Sequence, residues 1–360
     1  MKSVTVRKTV IIVALLCCAT ALRAQGGAVP APSVAISGFV DAYYSKNFAH
    51  PVTAKNQLRN FDVAENQFNL SLVELVFQKK AEPVGFRLDL DYGSANDMVQ
   101  PGVTSSLSIV QQAFLTVVVP IGKGLTVDAG KFVTHMGNEV IESKDNWNYS
   151  RSLLFAWAIP YYHTGVRLTY PLADNLSACV HVVNGWNSGT DNNDFKTIGA
   201  TLNWTAGPST SVILNAIDGF ENLTPIESGK RTVYDLIVTQ KLSDAVTLAV
   251  NADYGQAKTD FGLALWKGAA VYAKYAISEK AAFAMRGEVY DDPQGYSTGL
   301  GVQGLNIKEF TATYEYLVAS SLLLRGELRH DASNAPVFDK NAPGTEKTQT
   351  TLLLGAVMTF

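Results

Sequence analysis

The sequence predicts an all-β fold: a transmembrane, antiparallel, up-and-down β-barrel of about sixteen strands, with short periplasmic turns and long extracellular loops. Three observations carry this expectation. Period-two alternation of apolar and polar residues recurs along the chain, and the connections alternate between short and long. The chain also closes on Thr351–Phe360, where Leu352, Leu354, Ala356, Met358 and Phe360 share one face of a strand. Chain ends normally fray into water. An apolar row ending on an aromatic ring fits a strand whose outer face meets lipid and whose last ring lies at the membrane boundary.

Taken in order, strands are expected near Val34–Tyr44, Gln67–Lys79, Val84–Tyr92, Ile109–Val119, Leu125–Phe132, Tyr162–Tyr170, Leu176–Asn184 and Lys196–Trp204. The second half continues with Thr210–Asp218, Arg231–Lys241, Val246–Tyr254, Gly268–Ile277, Ala281–Asp291, Lys308–Leu317, Ser321–Asp331 and Thr348–Phe360. Each is close to the ~9–11 residues that a tilted membrane strand needs. The alternation is clean where Val84, Phe86, Leu88 and Leu90 interleave with Gly85, Arg87, Asp89 and Asp91. It is poorer at Val117-Val118-Val119, and Lys131 sits awkwardly in an outward row. Short connections such as Pro120–Gly124 and Val318–Ser320 separate long polar ones such as Ser45–Asn66, Gly93–Ser108, Thr134–Tyr161 and Ala332–Lys347. A soluble β-sandwich also alternates, but it has no reason to sort its loops by length. Tyr43, Tyr44, Tyr92, Tyr162, Tyr170, Trp204, Tyr254, Tyr275, Tyr314, Tyr316 and Phe360 lie near strand ends, as interfacial girdle residues do.

Residues 1–24 read as a cleaved signal peptide: Lys2, Arg7 and Lys8 precede the apolar run Val10–Ala21, and Ala24 is suited to cleavage before Gln25. The apolar run is well short of the ~20 residues of a spanning helix. Residues 25–33 form a short N-terminal segment and 34–360 a single barrel domain. The net charge of the chain is −3, and removal of Lys2, Arg7, Lys8 and Arg23 takes it to about −7, which argues against nucleic acid as a partner. Cys17 and Cys18 fall in the leader, leaving Cys179 alone, with no disulfide framework and no cysteine metal site. An exported chain without an apolar helix crosses a membrane only as a closed barrel, which satisfies its backbone internally. The location expected is the outer membrane of a Gram-negative bacterium.

If the apolar rows face lipid, the polar rows line the lumen. The pore-lining candidates are Arg87, Asp89, Asp91, Asp128, Arg167, Asp253, Lys274, Arg286, Glu288, Arg325, Glu327 and Arg329. Most such charges pair along the wall, and a minority set the field in a pore. About sixteen strands enclose an aqueous channel, and the slight acidic excess predicts at most a weak cation preference. The connection Thr134–Tyr161 is too long for a plain link between neighbouring strands. It carries Glu139, Glu142, Lys144, Asp145 and Arg151 interleaved with Trp147, Tyr149, Phe155 and Trp157. That apolar bulk suits a loop folded into the barrel mouth, where it narrows the pore.

Gly137-Asn138-Glu139, Asn148-Tyr149-Ser150-Arg151-Ser152, Leu154-Phe155, Pro160 and His163-Thr164-Gly165-Val166-Arg167 resemble the most recognisable stretch of the OmpL-like β-barrel porins of bacterial outer membranes. The opening Gly38-Phe39-Val40-Asp41-Ala42-Tyr43-Tyr44 and the terminal Phe360 are similar to that family as well. The resemblance implies an outer-membrane barrel with a pore function and adds little about the solute.

Other motifs carry less. Gly299-Leu300-Gly301-Val302-Gln303-Gly304 fits a dinucleotide-binding spacing, but Ile307–Tyr316 alternates as a strand where that motif needs a helix. Asp191-Asn192-Asn193-Asp194 has hard-cation ligand types and also the composition of a solvated loop tip. His50, His135, His163, His181 and His330 are scattered without metal-ligand spacing, although His163 and His181 fall on adjacent strands. No cofactor, metal or catalytic residue is expected, and the chain does not read as an enzyme. Two functions stay open. One is a porin-like channel for passive diffusion of small hydrophilic solutes or ions. The other is a non-conducting barrel: an enzyme, adhesin or structural anchor. The expected partners are outer-membrane lipid, the barrel-assembly machinery through the C-terminal strand and its signal Phe360, the solutes, and further copies of the chain in a homo-oligomer.

Overall fold

The computed structural model describes residues 34–100, 106–221 and 229–360. The expected leader, 1–24, and the segment 25–33 lie outside the described residues. Sixteen strands follow in order: β1 Ala35–Asn47, β2 Gln67–Lys79, β3 Val84–Tyr92, β4 Val110–Val119, β5 Leu125–Val133, β6 Tyr162–Ala173, β7 Leu176–Val183 and β8 Thr197–Thr205. The second half comprises β9 Thr210–Phe220, β10 Lys230–Lys241, β11 Val246–Thr259, β12 Gly262–Ala276, β13 Ala281–Asp292, β14 Leu305–Ala319, β15 Leu322–Ser333 and β16 Thr348–Thr359. Each pairs antiparallel with its sequence neighbours, and β1 pairs with β16 to close the barrel. No described helix is long and apolar enough to cross a membrane; the strands cross instead.

Alternation sets which face each side chain takes. On β16, Leu352, Leu354 and Met358 are exposed outward while Thr351, Leu353 and Val357 are buried inward. On β15, Leu324 and Leu328 face out and Arg325, Glu327 and Arg329 face in. Water is absent from the lipid region, so the closed ladder is what satisfies the backbone there. Closure runs to the last residue: Gly38 N donates to Phe360 O at 3.1 Å and Phe360 N donates to Gly38 O at 3.0 Å. A Cβ on residue 38 would lie 2.6 Å from Phe360 Cζ, so glycine makes room for the terminal ring.

Three expectations need correction. The strand expected at Gly268–Ile277 begins six residues earlier, at Gly262, and β11 runs on to Thr259, so Asp260-Phe261 forms a tight turn on the long-loop rim. The missed halves alternate Gly255, Ala257, Ala264 and Trp266 inward, and their outer face mixes Gln256, Lys258 and Lys267 with Leu263 and Leu265, which interrupts the apolar row that marks lipid contact. Two expected girdle aromatics are covered. Tyr43 faces inward with its ring centroid 5.7 Å from that of Tyr149, and Tyr162 lies beneath Lys131, whose Nζ is 4.3 Å from the ring centroid. Lys131 is no misfit, because its ammonium also donates to Gln100 Oε1 at 2.7 Å and Val110 O at 2.6 Å.

Four ladders slip register, two of them beside acidic residues: β1–β2 at Asp41/Ala42 and β3–β4 at Asp89/Leu90. Bulges of this kind re-aim a side chain. The apolar core lies inside the barrel. Leu58 and Phe61 from the connection 48–66 pack with Leu153, Leu154, Phe155, Ile159 and Tyr161 from the connection 134–161.

Candidate functional site: the lumen and its inserted loop

A loop folded into a barrel has no ladder to satisfy its backbone, so each buried N–H and C=O needs a partner on the wall. The root of the loop closes on itself, with Thr134 N donating to Tyr161 O at 2.9 Å. Beyond it the backbone amides meet wall acceptors. Gly137 N donates to Asp235 Oδ2 at 3.0 Å and Asn138 N to Asn251 Oδ1 at 3.2 Å. Tyr149 N and Ser150 N share the two oxygens of Glu327, at 2.6 and 3.0 Å. Leu153 N and Leu154 N share those of Glu288, both at 2.7 Å. A carboxylate has two acceptor oxygens and so matches two successive amides.

The loop carbonyls meet guanidinium groups, which have five donors in a fixed fork. Arg286 Nη1 donates to Ser150 O at 2.7 Å, Arg325 Nη2 to Asn146 O at 2.6 Å, and Arg329 Nη1 to Arg151 O at 2.6 Å. Arg325 Nη1 also reaches Ser143 O. Trp266 Nε1 donates to Ala158 O at 3.0 Å. Within the loop Arg151 turns inward, donating to Tyr149 O at 2.7 Å and Val140 O at 3.2 Å, with its guanidinium 4.5 Å from the Phe61 ring centroid. Glu139 joins loop to wall: Oε1 pairs with Arg286 Nη1 at 2.7 Å and Oε2 accepts from Ser152 N at 2.6 Å.

The remaining charges pair mostly along the wall. Arg87 pairs with Asp89 at 2.9 Å, Arg167 with Asp128 at 2.7 Å, and Lys274 with Glu315 at 2.6 Å. Arg325 Nη2 lies 3.0 Å from Glu315, Arg286 Nε 2.8 Å from Glu309, and Arg329 Nη2 2.8 Å from Asp331. Asp253 stands directly across the ladder from Asp235 with both of its oxygens unpaired among the described residues. Asp91 stands across from Glu74 in the same state. From the loop, Glu142 accepts from Gln111 Nε2 at 2.8 Å. Lys144 sits 5.3 Å from the Phe39 ring centroid and pairs with Asp145.

Several participants are not among the residues singled out from sequence. Asp41 accepts from Ser143 Oγ at 2.6 Å and Tyr149 Oη at 2.7 Å. Arg59, in the connection 48–66, pairs with Asp62 and with Asp331 of β15, the latter at 2.8 Å, and Asn60 Nδ2 of the same connection donates to Ala156 O at 2.9 Å, so two inserted segments meet in the lumen. A lone acid at an inward position of an apolar strand, as at Asp41 and Glu74, is the signal that marks such residues. His135, His163 and His181 come together from the loop, β6 and β7. The ring centroids of His135 and His181 are 4.0 Å apart and stacked, and that of His163 is 5.7 Å from His135. Burial pushes His135 down to about 4. Among the described residues no three His, Cys, Asp or Glu side chains are arranged to hold a metal ion. At 191–194, Asp191 accepts from Asn193 N at 3.0 Å and pairs with Lys196.

Cavities flank the inserted loop. One of about 480 Å³ at the periplasmic end is lined by Phe39, Glu74, Arg87, Lys144, Asp145 and Phe360, among others. One of about 120 Å³ at the extracellular end is lined by Trp157, Tyr161, Trp186, Arg231 and Tyr296, among others.

Residues 33–360 match the family described as Putative beta-barrel porin-2, OmpL-like. The chain belongs to that family. Its place is therefore the bacterial outer membrane, and family and fold alike are those of channel proteins. No curated relative matches the chain. Solved structures share the fold at low identity. The outer-membrane channel DcaP of Acinetobacter baumannii aligns with a TM-score of 0.64 and 13% identity over 93% of this chain and 100% of that one. The anion-selective porin from Comamonas acidovorans gives 0.63 and 13% over 91% and 99%. A loop-deletion form of OmpT, an outer membrane protein of Vibrio cholerae, gives 0.61 and 11% over 92% and 100%.

Proposed function

We propose that this OmpL-like family member is a diffusion porin for small hydrophilic solutes or ions, and that the loop 134–161 narrows its lumen. The observation that carries this reading is the loop's attachment: amides on Glu288 and Glu327, carbonyls on Arg286, Arg325 and Arg329. Side chains of β13 and β15 hold it across a lumen that sixteen strands would otherwise leave wide. Solute meets the half-buried Arg87 and Arg167, held by the buried Asp89 and Asp128, and the exposed Asp145 on its way past. Residues 1–24 direct export and are removed, and Phe360 marks the C-terminal strand for the assembly machinery. Among solved structures of this fold, one OmpT of Vibrio cholerae is described in a trimer form, which supports association of this barrel with further copies. A planar-bilayer measurement tests the function: stepwise ion conductance supports it, and a folded barrel that inserts without conducting contradicts it.

One observation favours the second reading, a non-conducting barrel. Arg286, Glu309, Arg329 and Asp331 are each almost fully buried and paired, which is how a plugged lumen is built. The same bilayer measurement separates the two.

A further inference from the structure

Glu74 of β2, Asp91 of β3, Gln111 of β4 and Glu142 of the inserted loop converge inside the barrel. Glu74 and Asp91 are direct cross-strand partners. Gln111 is brought in by the β3–β4 bulge: Asp89 faces Gln112 and Leu90 faces Val110, which leaves Gln111 with no opposing residue. Strict alternation would turn one of two successive glutamines toward lipid. Here both are buried, Gln111 being 1% exposed, in the way bulges re-aim side chains at functional places. Gln111 Nε2 is spent on Glu142 at 2.8 Å, so the amide orientation is fixed and its buried Oε1 is left without a partner among the described residues.

These oxygens lack donors. Glu74 Oε2, both oxygens of Asp91 and Gln111 Oε1 are buried without a hydrogen-bond partner among the described residues. Leaving such groups unpaired is expensive, and more so when they are charged. The neighbouring cations are engaged elsewhere. Arg87 pairs with Asp89 and Lys144 with Asp145, while Lys131 donates to Gln100 and Val110. Two carboxylates and an amide carbonyl, with water filling further positions, are the ligand types of a hard divalent cation. The set holds fewer than three acidic or imidazole ligands, consistent with the lack of any such triad among the described residues. Glu74 lines the periplasmic cavity of about 480 Å³, which gives an ion a way in.

We infer that Glu74, Asp91 and Gln111 bind one calcium ion inside the barrel. The ion supplies the positive charge the cluster lacks. Through the Gln111–Glu142 bond it also fastens the inserted loop to β2, β3 and β4.

The test is equilibrium dialysis of the chelator-stripped, full barrel in detergent, with calcium chloride as the only ligand. Wild type should retain one calcium per chain. Asp91→Asn and Gln111→Leu should each weaken binding at least tenfold, and the Glu74→Gln/Asp91→Asn double variant should abolish it. Retention of the heat-modifiable, folded gel band by these variants shows that the barrel is intact. Equal calcium retention by wild type and the double variant overturns the inference, and is the result expected if Glu74 and Asp91 merely share a proton. The readout is binding, not conductance, so its outcome is independent of whether the barrel conducts.

Discussion

The phenol of Tyr149 donates to Asp41 Oδ1 at 2.7 Å, joining the middle of the inserted loop to the first strand of the barrel. The ring is held in place from behind, because a Cβ on Gly355 would lie 2.7 Å from two of its carbons. Tyr149→Phe removes one hydrogen bond to a carboxylate, an interaction of about 1.5–3 kcal/mol. Gly355→Val displaces the ring itself. Single-channel conductance should therefore rise in both variants, and further in Gly355→Val. Equal and unchanged conductance would show that this contact does not position the loop.

Arg286 is fully buried and binds Glu139, Glu309 and Ser150 O together. Removing one member of such a cluster leaves charges buried without a partner, at a cost of about 3–5 kcal/mol. Arg286→Met should lower the urea midpoint of the folded barrel accordingly. Arg286→Lys should restore little, because an ammonium cannot reproduce the planar fork.

His135 gives the loop root a pH dependence. Its surroundings are His163, His181, Arg167, Asp235 and the carbonyl of Ala216. Burial lowers its folded value to about 4, below the ordinary ~6.5 of an unfolded histidine. Its contribution is therefore complete above about pH 6.5 and is lost as pH falls toward 4. Glu142 runs the other way: its raised folded value means that protonation favours docking as pH falls toward the ordinary carboxylate range. Conductance of the wild type should rise between pH 7 and pH 4.5. His135→Phe, which keeps the ring and loses the titration, should not show the rise. The same increase in both proteins would remove His135 from the account.

Phe360 exchanges both backbone hydrogen bonds with Gly38 and so completes the seam between β1 and β16. Deleting Phe360 should leave export intact and reduce the heat-modifiable barrel in the outer-membrane fraction. Normal assembly of that variant would count against a terminal signal.

The barrel was legible because period two, strand length and loop sorting repeat sixteen times, so a blurred strand such as Val117–Val119 does little harm. The loop 134–161 was legible from its aromatic bulk. What it binds was not, because Glu288, Glu327 and Arg325 read alike as wall charges until the loop backbone is placed against them. Gln111 was hidden for a different reason. A bulge changes the facing of one residue without leaving any mark in the hydrophobic pattern. The three histidines were likewise hidden as a group, being 28 and 18 residues apart along the chain, from His135 to His163 and from His163 to His181; His163 and His181 fall on adjacent strands, but His135 joins them only once the loop root is placed.

The most direct test is single-channel recording of the purified barrel in planar bilayers, compared with a variant in which residues 137–158 are replaced by a short glycine–serine link. The expected result is a small conductance in the wild type and a severalfold larger one without the loop. Silence in both, with folding verified, would contradict a diffusion pore. Equal conductance in both would contradict a loop that narrows it.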